Sequence, residues 1–461
     1  MTHVAIIGAY GSAGVAVAQS LADEDVELTL VDDGEPGGGL CILRGCMPSK
    51  EVLSAAAHRF QVRHDERVTG TPEVDLQAVV ETKDEHISNF ARHRRAAVHR
   101  LADRDNVTFL HETATLVGDR KLAVGDRTIE PDYLVVATGS TVSVPDLSGI
   151  DDVDFWTSDD VLDATSLPGS AIVMGFGVIG LELAPYLSEC GVDVTVIEHD
   201  ARPLDDAPDE YGDWVLDIYR DEFDIEVLTR TREQAVKSTD DGGVRMTVER
   251  DDSTETIDAD DLFVFTGRRP NVDGLGLENT SLEAEPGWVR ETMQTVEDDR
   301  TYVVGDANGK EPLLHVAKEQ GFTAADNILA DVAGDQLTAY ENYRHLVVFS
   351  GLGVYPYARV GHTPEAAREA DYDPIVVTRE AATDGVFKTK HHDAGMATLV
   401  VARDGTVLGY QGLHYHADVM AKTMQVAVAL GQDVRTLPDR AYHPTTPEIL
   451  DGLFRAAKDE L

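Results

Sequence analysis

Basic side chains are scarce in this sequence. Against 84 Asp and Glu stand 39 Lys and Arg, only 10 of them lysine, giving a formal charge of −45 over 461 residues. Such a surplus of carboxylates opposes the polyanionic backbone of DNA or RNA, so no nucleic-acid partner is expected. The acids recur along the whole chain instead of forming a tail, which looks like adaptation to a salt-loaded cytosol. Cysteine is rarer still: three residues exclude a small disulfide scaffold. No run of 18 apolar residues occurs, and the first strand begins at Thr2 without a charged leader, so neither a membrane span nor a signal peptide is indicated and a cytoplasmic location is expected. With 42% hydrophobic residues, a chain of this length can bury a large core and divide into roughly two to four domains.

What is present is a pair of strand, glycine-rich turn, helix, strand units. The first runs from the apolar stretch His3 to Ile7 through Gly8, Gly11 and Gly14 to Val26–Val31, ending at Asp32. The second starts at Ala171, carries Gly175, Gly177 and Gly180, and closes on Glu198, 23 residues after its first glycine. In a dinucleotide fold such glycines allow a tight turn, close approach of a pyrophosphate and tight packing of helix on strand, while the terminal acid bonds a ribose hydroxyl. The second unit fits without adjustment. In the first, Tyr10 stands where the second glycine belongs, and a turn widened by one residue restores the offsets among Gly11, Gly14, Ala18 and Asp32. Two nucleotide-binding units suggest two nucleotides. A charge-rich helical stretch from Lys50 to Arg104 separates them, and after about Tyr340 alternating strands and two helices form a further region.

Two of the cysteines, Cys41 and Cys46, are separated by four residues in the run Gly37 to Lys50. As zinc ligands they are poor, with no second pair and no Cys-x-x-Cys spacing. A redox pair suits better, because a thiolate at a helix start is stabilised by backbone N–H groups, and Pro48 is consistent with a helix start there. Arg44, between the thiols, either favours a thiolate, binds a carboxylate of an anionic disulfide, or is simply solvated. Cys190 reads as a small buried hydrophobe. His391, His392, His414 and His416 raise a metal reading; strand alternation places His414 and His416 on one face, yet no carboxylate or cysteine ligand lies near them in sequence, and no metal is expected.

The Cys-x4-Cys-x-Pro-Ser-Lys run, the two dinucleotide units, Ala137-Thr138-Gly139, Gly267-Arg268-Arg269-Pro270-Asn271, Gly305-Asp306 and the closing His443-Pro444-Thr445-Thr446-Pro447-Glu448 together resemble the pyridine nucleotide-disulfide oxidoreductases of class I. The likeness covers the whole chain in order. It implies an α/β fold with two doubly wound dinucleotide-binding domains, for FAD and NAD(P), and a C-terminal α+β dimerisation domain. The implied boundaries are 1–150 and 267–340 for FAD, 151–266 for NAD(P), and 341–461 for dimerisation.

The resemblance also implies roles. Cys41 becomes the interchange thiol, and Cys46 the thiolate lying against the flavin. Lys50 sits near the flavin and pairs with Glu182, while Gly8, Gly11, Gly14, Asp32, Ala114, Thr138, Gly139, Asp306 and His315 line the FAD site. Gly175, Gly177, Gly180, Glu198, His199, Arg202 and Gly267 hold the nicotinamide nucleotide. His443, oriented by Glu448, is the acid-base group acting on the other subunit of a homodimer. Chemistry supports that last role independently: thiol-disulfide exchange needs a proton taken and returned, which histidine does near neutrality, and a carboxylate can fix its tautomer.

Within the family, mercuric reductases carry extra cysteines near the C-terminus, which this chain lacks. Dihydrolipoamide dehydrogenase fits the glycine motifs, and Glu198 fits NAD because a carboxylate repels a 2′-phosphate. The acidic composition and the altered loop at Leu40, Ile42, Leu43 and Arg44 instead resemble the bis-γ-glutamylcystine reductases of salt-loving archaea, which use NADPH. The expectation is therefore an FAD enzyme reducing a small disulfide, with NADPH preferred over NADH if His199 and Arg202 receive the 2′-phosphate. A fold-bearing sensor without turnover is the contrary reading, and the six residues Cys41, Cys46, Lys50, Glu182, His443 and Glu448 argue against it.

Overall fold

The computed structural model describes residues 1–461 and divides into two compact units. The first contains Met1–Lys50, Glu81–Ser143 and Arg268–Asn342; the second contains Glu51–Val80, Val144–Gly267 and Tyr343–Leu461.

The first unit is built on a five-stranded sheet in the order Thr301–Val303, Tyr133–Val136, Thr2–Ile7, Val26–Val31, Val107–Leu110. Every pairing is parallel. Both sheet faces are covered, so the strands are mostly apolar and Tyr133–Val136 is buried throughout. On one side the helices Ser12–Leu21 and Leu314–Ala333 complete a core around Val4, Ile6, Leu28, Val135 and Tyr302. These two helices touch through small residues: a Cβ added at Gly321 would lie 2.7 Å from the carbonyl oxygen of Ala13. On the other side a three-stranded antiparallel sheet, Ala114–Gly118, Lys121–Val124 and Arg127–Ile129, packs Leu116, Leu122 and Val124 against Ala5, Ile7 and Val136.

The second unit repeats the theme. Its parallel sheet runs Glu226–Leu228, Asp193–Ile197, Ser170–Met174, Asp261–Val264, Phe155–Trp156, and carries a three-stranded antiparallel sheet from Thr231 to Ala259. A second five-stranded sheet, wholly antiparallel, follows in the order Leu346–Val348, Tyr357–Gly361, Val407–Leu413, Met396–Val401, Ile375–Glu380. The helices Ala417–Ala429 and Glu448–Glu460 bury one of its faces around Leu399, Tyr410, Met424 and Leu453. Inside the unit, Tyr211 joins the two sheet systems by donating its hydroxyl to Thr398 Oγ1 and the Gln411 carbonyl, each at 3.0 Å.

The charge-rich stretch after Lys50 is two helices, Cys46–His64 and Leu76–Leu101, separated by an irregular segment. No helix is long and apolar enough to cross a membrane.

Candidate active site

Both glycine turns stand at the carboxyl end of their first strand, where doubly wound sheets bind nucleotides. In the second unit Gly175 takes φ +94°, Gly177 caps the helix Val178–Glu189, and a Cβ on Gly180 would lie 2.2 Å from the Gly175 carbonyl oxygen. In the first unit Gly8 takes φ +91°, the helix Ser12–Leu21 starts after Gly11, and a Cβ on Gly14 would lie 2.3 Å from the Gly8 carbonyl oxygen. The first turn is thus one residue wider. The extra residue is Tyr10, whose ring does not enter the turn: it is buried against Phe109 and His99, with its hydroxyl 2.7 Å from His99 Nε2.

Each helix begins without a side-chain cap and without an acid in its first turn, in a chain carrying 84 carboxylates. The exposed N–H groups and the positive dipole end fit a dinucleotide pyrophosphate. A Cβ at Gly177 would meet nothing within 4 Å, which leaves room for that group. At the end of the second strand, Asp32 accepts the N–H groups of Tyr10 and Gly34 at 2.8 and 2.9 Å, and Glu198 accepts that of Asp200 at 2.8 Å. Burial pushes both carboxyls above the ordinary range. Thr138, packed beside the Gly8 turn, has a buried hydroxyl with no protein partner, a further point at which FAD fits.

The other FAD candidates are spread around the same unit. Asp306 sits in the turn Gly305–Asn308 and accepts the Ser140 hydroxyl at 2.6 Å. Gly139, at φ +72°, follows Thr138 and offers its carbonyl to the Asn271 N–H at 2.9 Å. Ala114 opens the antiparallel strand Ala114–Gly118, and His315 lies in the first turn of Leu314–Ala333. Lys50 Nζ reaches Ser49 Oγ at 3.3 Å. In the second unit Gly267 has φ +91°, and Glu182, buried on Val178–Glu189, accepts the Phe349 N–H at 3.2 Å.

His199 and Arg202 are committed elsewhere. His199 Nε2 lies 2.5 Å from a Glu233 oxygen, and Arg202 pairs with Asp213 at 2.5 Å and Asp209 at 3.3 Å. A 2′-phosphate would have to compete with three carboxylates for these two groups.

The two cysteines come together across a short helical step. Cys41 lies on Leu40–Leu43, and Cys46 is the first residue of the long helix Cys46–His64. Their side chains share a hydrogen bond, and that bond, followed by burial, drives the Cys41 thiol far up from its ordinary value. Cys41 therefore keeps its proton more firmly than an ordinary thiol, and Cys46 stands at a helix N-terminus, where backbone N–H groups and the dipole favour a thiolate. The cation opposing the shift of Cys41 is Arg94 from Leu76–Leu101, half-buried and bonded through Nη1 to the Tyr10 carbonyl at 3.0 Å. Arg44, between the two thiols, is exposed. Nothing in the sequence marked Arg94, nor Gln320, whose buried Oε1 fixes the Asp306 turn by accepting from Gly305 N and Asn308 Nδ2, each at 2.8 Å.

In the second unit, His443 Nδ1 lies 3.1 and 3.2 Å from the two oxygens of Glu448, and Glu448 also accepts the Thr445 N–H at 2.9 Å. That backbone bond, and then His443, hold the Glu448 carboxyl below its ordinary value. The imidazole side chain is 80% exposed, with its outer face presented to the surroundings.

The four histidines of the metal reading lie near one another, with His392 and His416 both against the Tyr415 ring. The strand ends at Leu413, so His414 and His416 do not share a strand face. His414 is buried between Tyr410 Oη and the Tyr415 carbonyl, and burial lowers its pKa to about 4. His416 has φ +70° and contacts Thr446 Oγ1 at 3.1 Å. No group of three or more His, Cys, Asp or Glu is arranged to hold a metal ion. Cys190, half-buried at the end of Val178–Glu189, is pushed up to about 12 by burial.

A family model described as pyridine nucleotide-disulphide oxidoreductase matches residues 2–321, and the dimerisation-domain model of the same family matches residues 347–453. The chain belongs to this family. Its members are FAD-dependent and use NAD(P)H, so the chain is a pyridine nucleotide-disulfide oxidoreductase with a dimerisation domain. Among curated relatives, the dihydrolipoyl dehydrogenase of Haloferax volcanii is 28% identical over all of this chain and 96% of its own length. A mercuric reductase of Shigella flexneri is 28% identical over 99% of this chain and 80% of its own. Among solved structures, LpdA from Mycobacterium tuberculosis aligns with a TM-score of 0.83 at 23% identity, covering 99% of each chain. The HOCl-induced flavoprotein disulfide reductase RclA of Escherichia coli aligns at 0.82 and 22%, again over 99% of each. These structural likenesses show the same fold.

Proposed function

We propose that the protein is an FAD-dependent NAD(P)H:disulfide reductase that works as a homodimer on a low-molecular-weight disulfide, bis-γ-glutamylcystine. The observation that carries this reading is the shared hydrogen bond of Cys41 and Cys46, with Cys46 at a helix start. Bound FAD supplies the two-electron link between nicotinamide and dithiol.

The chain's own groups do the sulfur chemistry. Cys41 keeps its proton next to Cys46 and needs a base to become a nucleophile. His443 of the partner subunit is our candidate, its Nδ1 held by Glu448 so that Nε2 accepts the thiol proton. Cys41 Sγ then attacks one sulfur of the substrate, forming a mixed disulfide and expelling a thiolate that takes the proton back from the imidazole. Cys46 Sγ, as a thiolate, attacks Cys41 Sγ, closes the Cys41–Cys46 disulfide and expels the second product as a thiolate, which takes a proton from solvent. Two electrons from NAD(P)H restore the pair, so one disulfide becomes two thiols for each nicotinamide oxidised. Lys50 and Glu182 are carried into the proposal as the pair beside the flavin, and Asp32, Thr138, Gly139, Asp306, Ala114 and His315 as its contacts.

For the nicotinamide, we infer NADH and not NADPH. His199 and Arg202 are occupied by carboxylates, and Glu198 closes the second strand with a partly buried acid. The acidic surface supports a salt-rich working medium, in which repulsion among carboxylates is screened. Dihydrolipoamide dehydrogenase is the second reading, favoured by the relatives' names and by Glu198.

The test replaces Cys41 with serine in the flavin-loaded enzyme. Turnover of bis-γ-glutamylcystine, and of lipoamide in parallel with NADH and NADPH in molar salt, should fall by at least about a thousandfold while flavin content is retained. Turnover at the parent rate would sink the reading, and preference for lipoamide would select the second one.

A further inference from the structure

A cavity of about 370 Å3 opens beside Glu448, between the ends of Ile375–Glu380 and Glu448–Glu460. Three of its lining residues are arginines, Arg379, Arg440 and Arg455, in a chain where acids outnumber bases 84 to 39. Three acids line it as well, but each is already engaged. Glu448 holds His443 and the Thr445 N–H; Asp384 accepts the Val386 N–H at 3.1 Å and faces Arg379 at 3.5 Å; Asp451 accepts the Ala441 N–H at 2.5 Å.

The arginines keep donors in hand. Arg379 Nε is buried with no partner. Its guanidinium lies against Gly452, where a Cβ would come within 2.8 Å of Nε, so the absence of a side chain on the last helix is what makes room for it. Arg455 gives Nη1 to the Asp439 carbonyl at 2.5 Å, and Arg440, 93% exposed, comes no nearer than 4.0 Å to Asp439. Each guanidinium carries five N–H donors in a planar fork whose natural complement is a carboxylate. The same cavity is bounded by the carboxylate that holds the His443 imidazole.

We propose that this arginine-lined cavity is a carboxylate subsite, receiving the anionic arm of the disulfide whose sulfur is presented to His443. The proposal rests on the reductase reading given above. It assigns Arg379, Arg440 and Arg455 to substrate specificity and gives the chain a preference for disulfides bearing carboxylates over neutral ones of similar length.

The experiment compares the parent holoenzyme with Arg440→Gln, Arg455→Gln and the double variant, leaving the half-buried Arg379 in place. Oxidised glutathione serves as the carboxylate-bearing probe and bis(2-hydroxyethyl) disulfide as the neutral one, at one fixed salt concentration. Calorimetric Kd for oxidised glutathione should rise at least about tenfold in the double variant. The ratio of kcat/KM for the carboxylated over the neutral disulfide should fall by a similar factor. Unchanged Kd and ratio, or equal weakening of both probes, would overturn the subsite. Should the parent enzyme turn over neither bis-γ-glutamylcystine nor lipoamide, the reductase reading fails on its own, while the Kd comparison still decides the cavity.

Discussion

The two nucleotide turns solve one problem with different spacing. In the second, one residue, Phe176, separates the left-handed Gly175 from the helix cap at position 177; in the first, two residues, Ala9 and Tyr10, separate Gly8 from the cap at 11. Both nevertheless seat the third glycine of the motif directly on the first, with would-be Cβ atoms at 2.2 and 2.3 Å from the carbonyl. The helix-to-strand contact is therefore the invariant, and the loop between is free to lengthen if the inserted side chain has somewhere to go. Tyr10 goes into the core, and its N–H is taken by Asp32.

The sharpest way to break the comparison is to fill the invariant contact. Gly14→Val and Gly180→Val each drive a side chain into backbone, and each should cost at least about 3 kcal/mol. Flavin absorbance per chain should be lost with Gly14→Val, while Gly180→Val should chiefly abolish NAD(P)H binding. Equal effects of both variants on flavin content would contradict the separate assignments of the two turns.

A lesser effect is expected at the inserted residue. If Tyr10 obstructed the turn, shortening it would tighten FAD. Instead Tyr10→Ala should destabilise by about 3–5 kcal/mol, through loss of a buried ring, with no gain in flavin affinity. Tyr10→Phe removes only the hydroxyl bonded to His99 and should cost about 1 kcal/mol. Denaturant midpoints measured with flavin dissociation constants check both, and tighter flavin binding in Tyr10→Ala would reverse the argument.

The smallest effect concerns the two terminal acids. Burial raises Asp32 above its ordinary 3.8 and Glu198 above its ordinary 4.5, so the folded protein holds each proton more tightly than the unfolded chain does. Each group then favours folding most below its ordinary value, and that contribution is lost as pH rises through the folded pKa. Asp32→Asn and Glu198→Gln should both flatten this fall, as read from unfolding midpoints over a pH series above 3.8 and 4.5 respectively. A steeper fall in either variant would show that the acid is held by donors more strongly than burial penalises it.

Much of the architecture was legible because it rests on local constraints. Glycine at fixed offsets, apolar strands closing on an acid, and Pro48 after Cys46 each limit the backbone within a few residues, and the widened turn followed from offsets alone. The pairing of His443 with Glu448 was legible for the same reason: five residues and one turn bring them together. Expectations failed where a side chain's surroundings came from distant segments. His414 and His416 were assigned one strand face, but the strand stops at Leu413 and each side chain finds its own partner.

The amino-acid order by itself determined where the two glycine turns and the cysteine pair lie, since these depend on short-range geometry that particular residues enforce. Only the tertiary structure decided which charges meet: Arg94 beside Cys41, carboxylates already on His199 and Arg202, and a cavity where three arginines converge. Electrostatic partners are set by distance in space, and packing brings together in space what the chain keeps far apart.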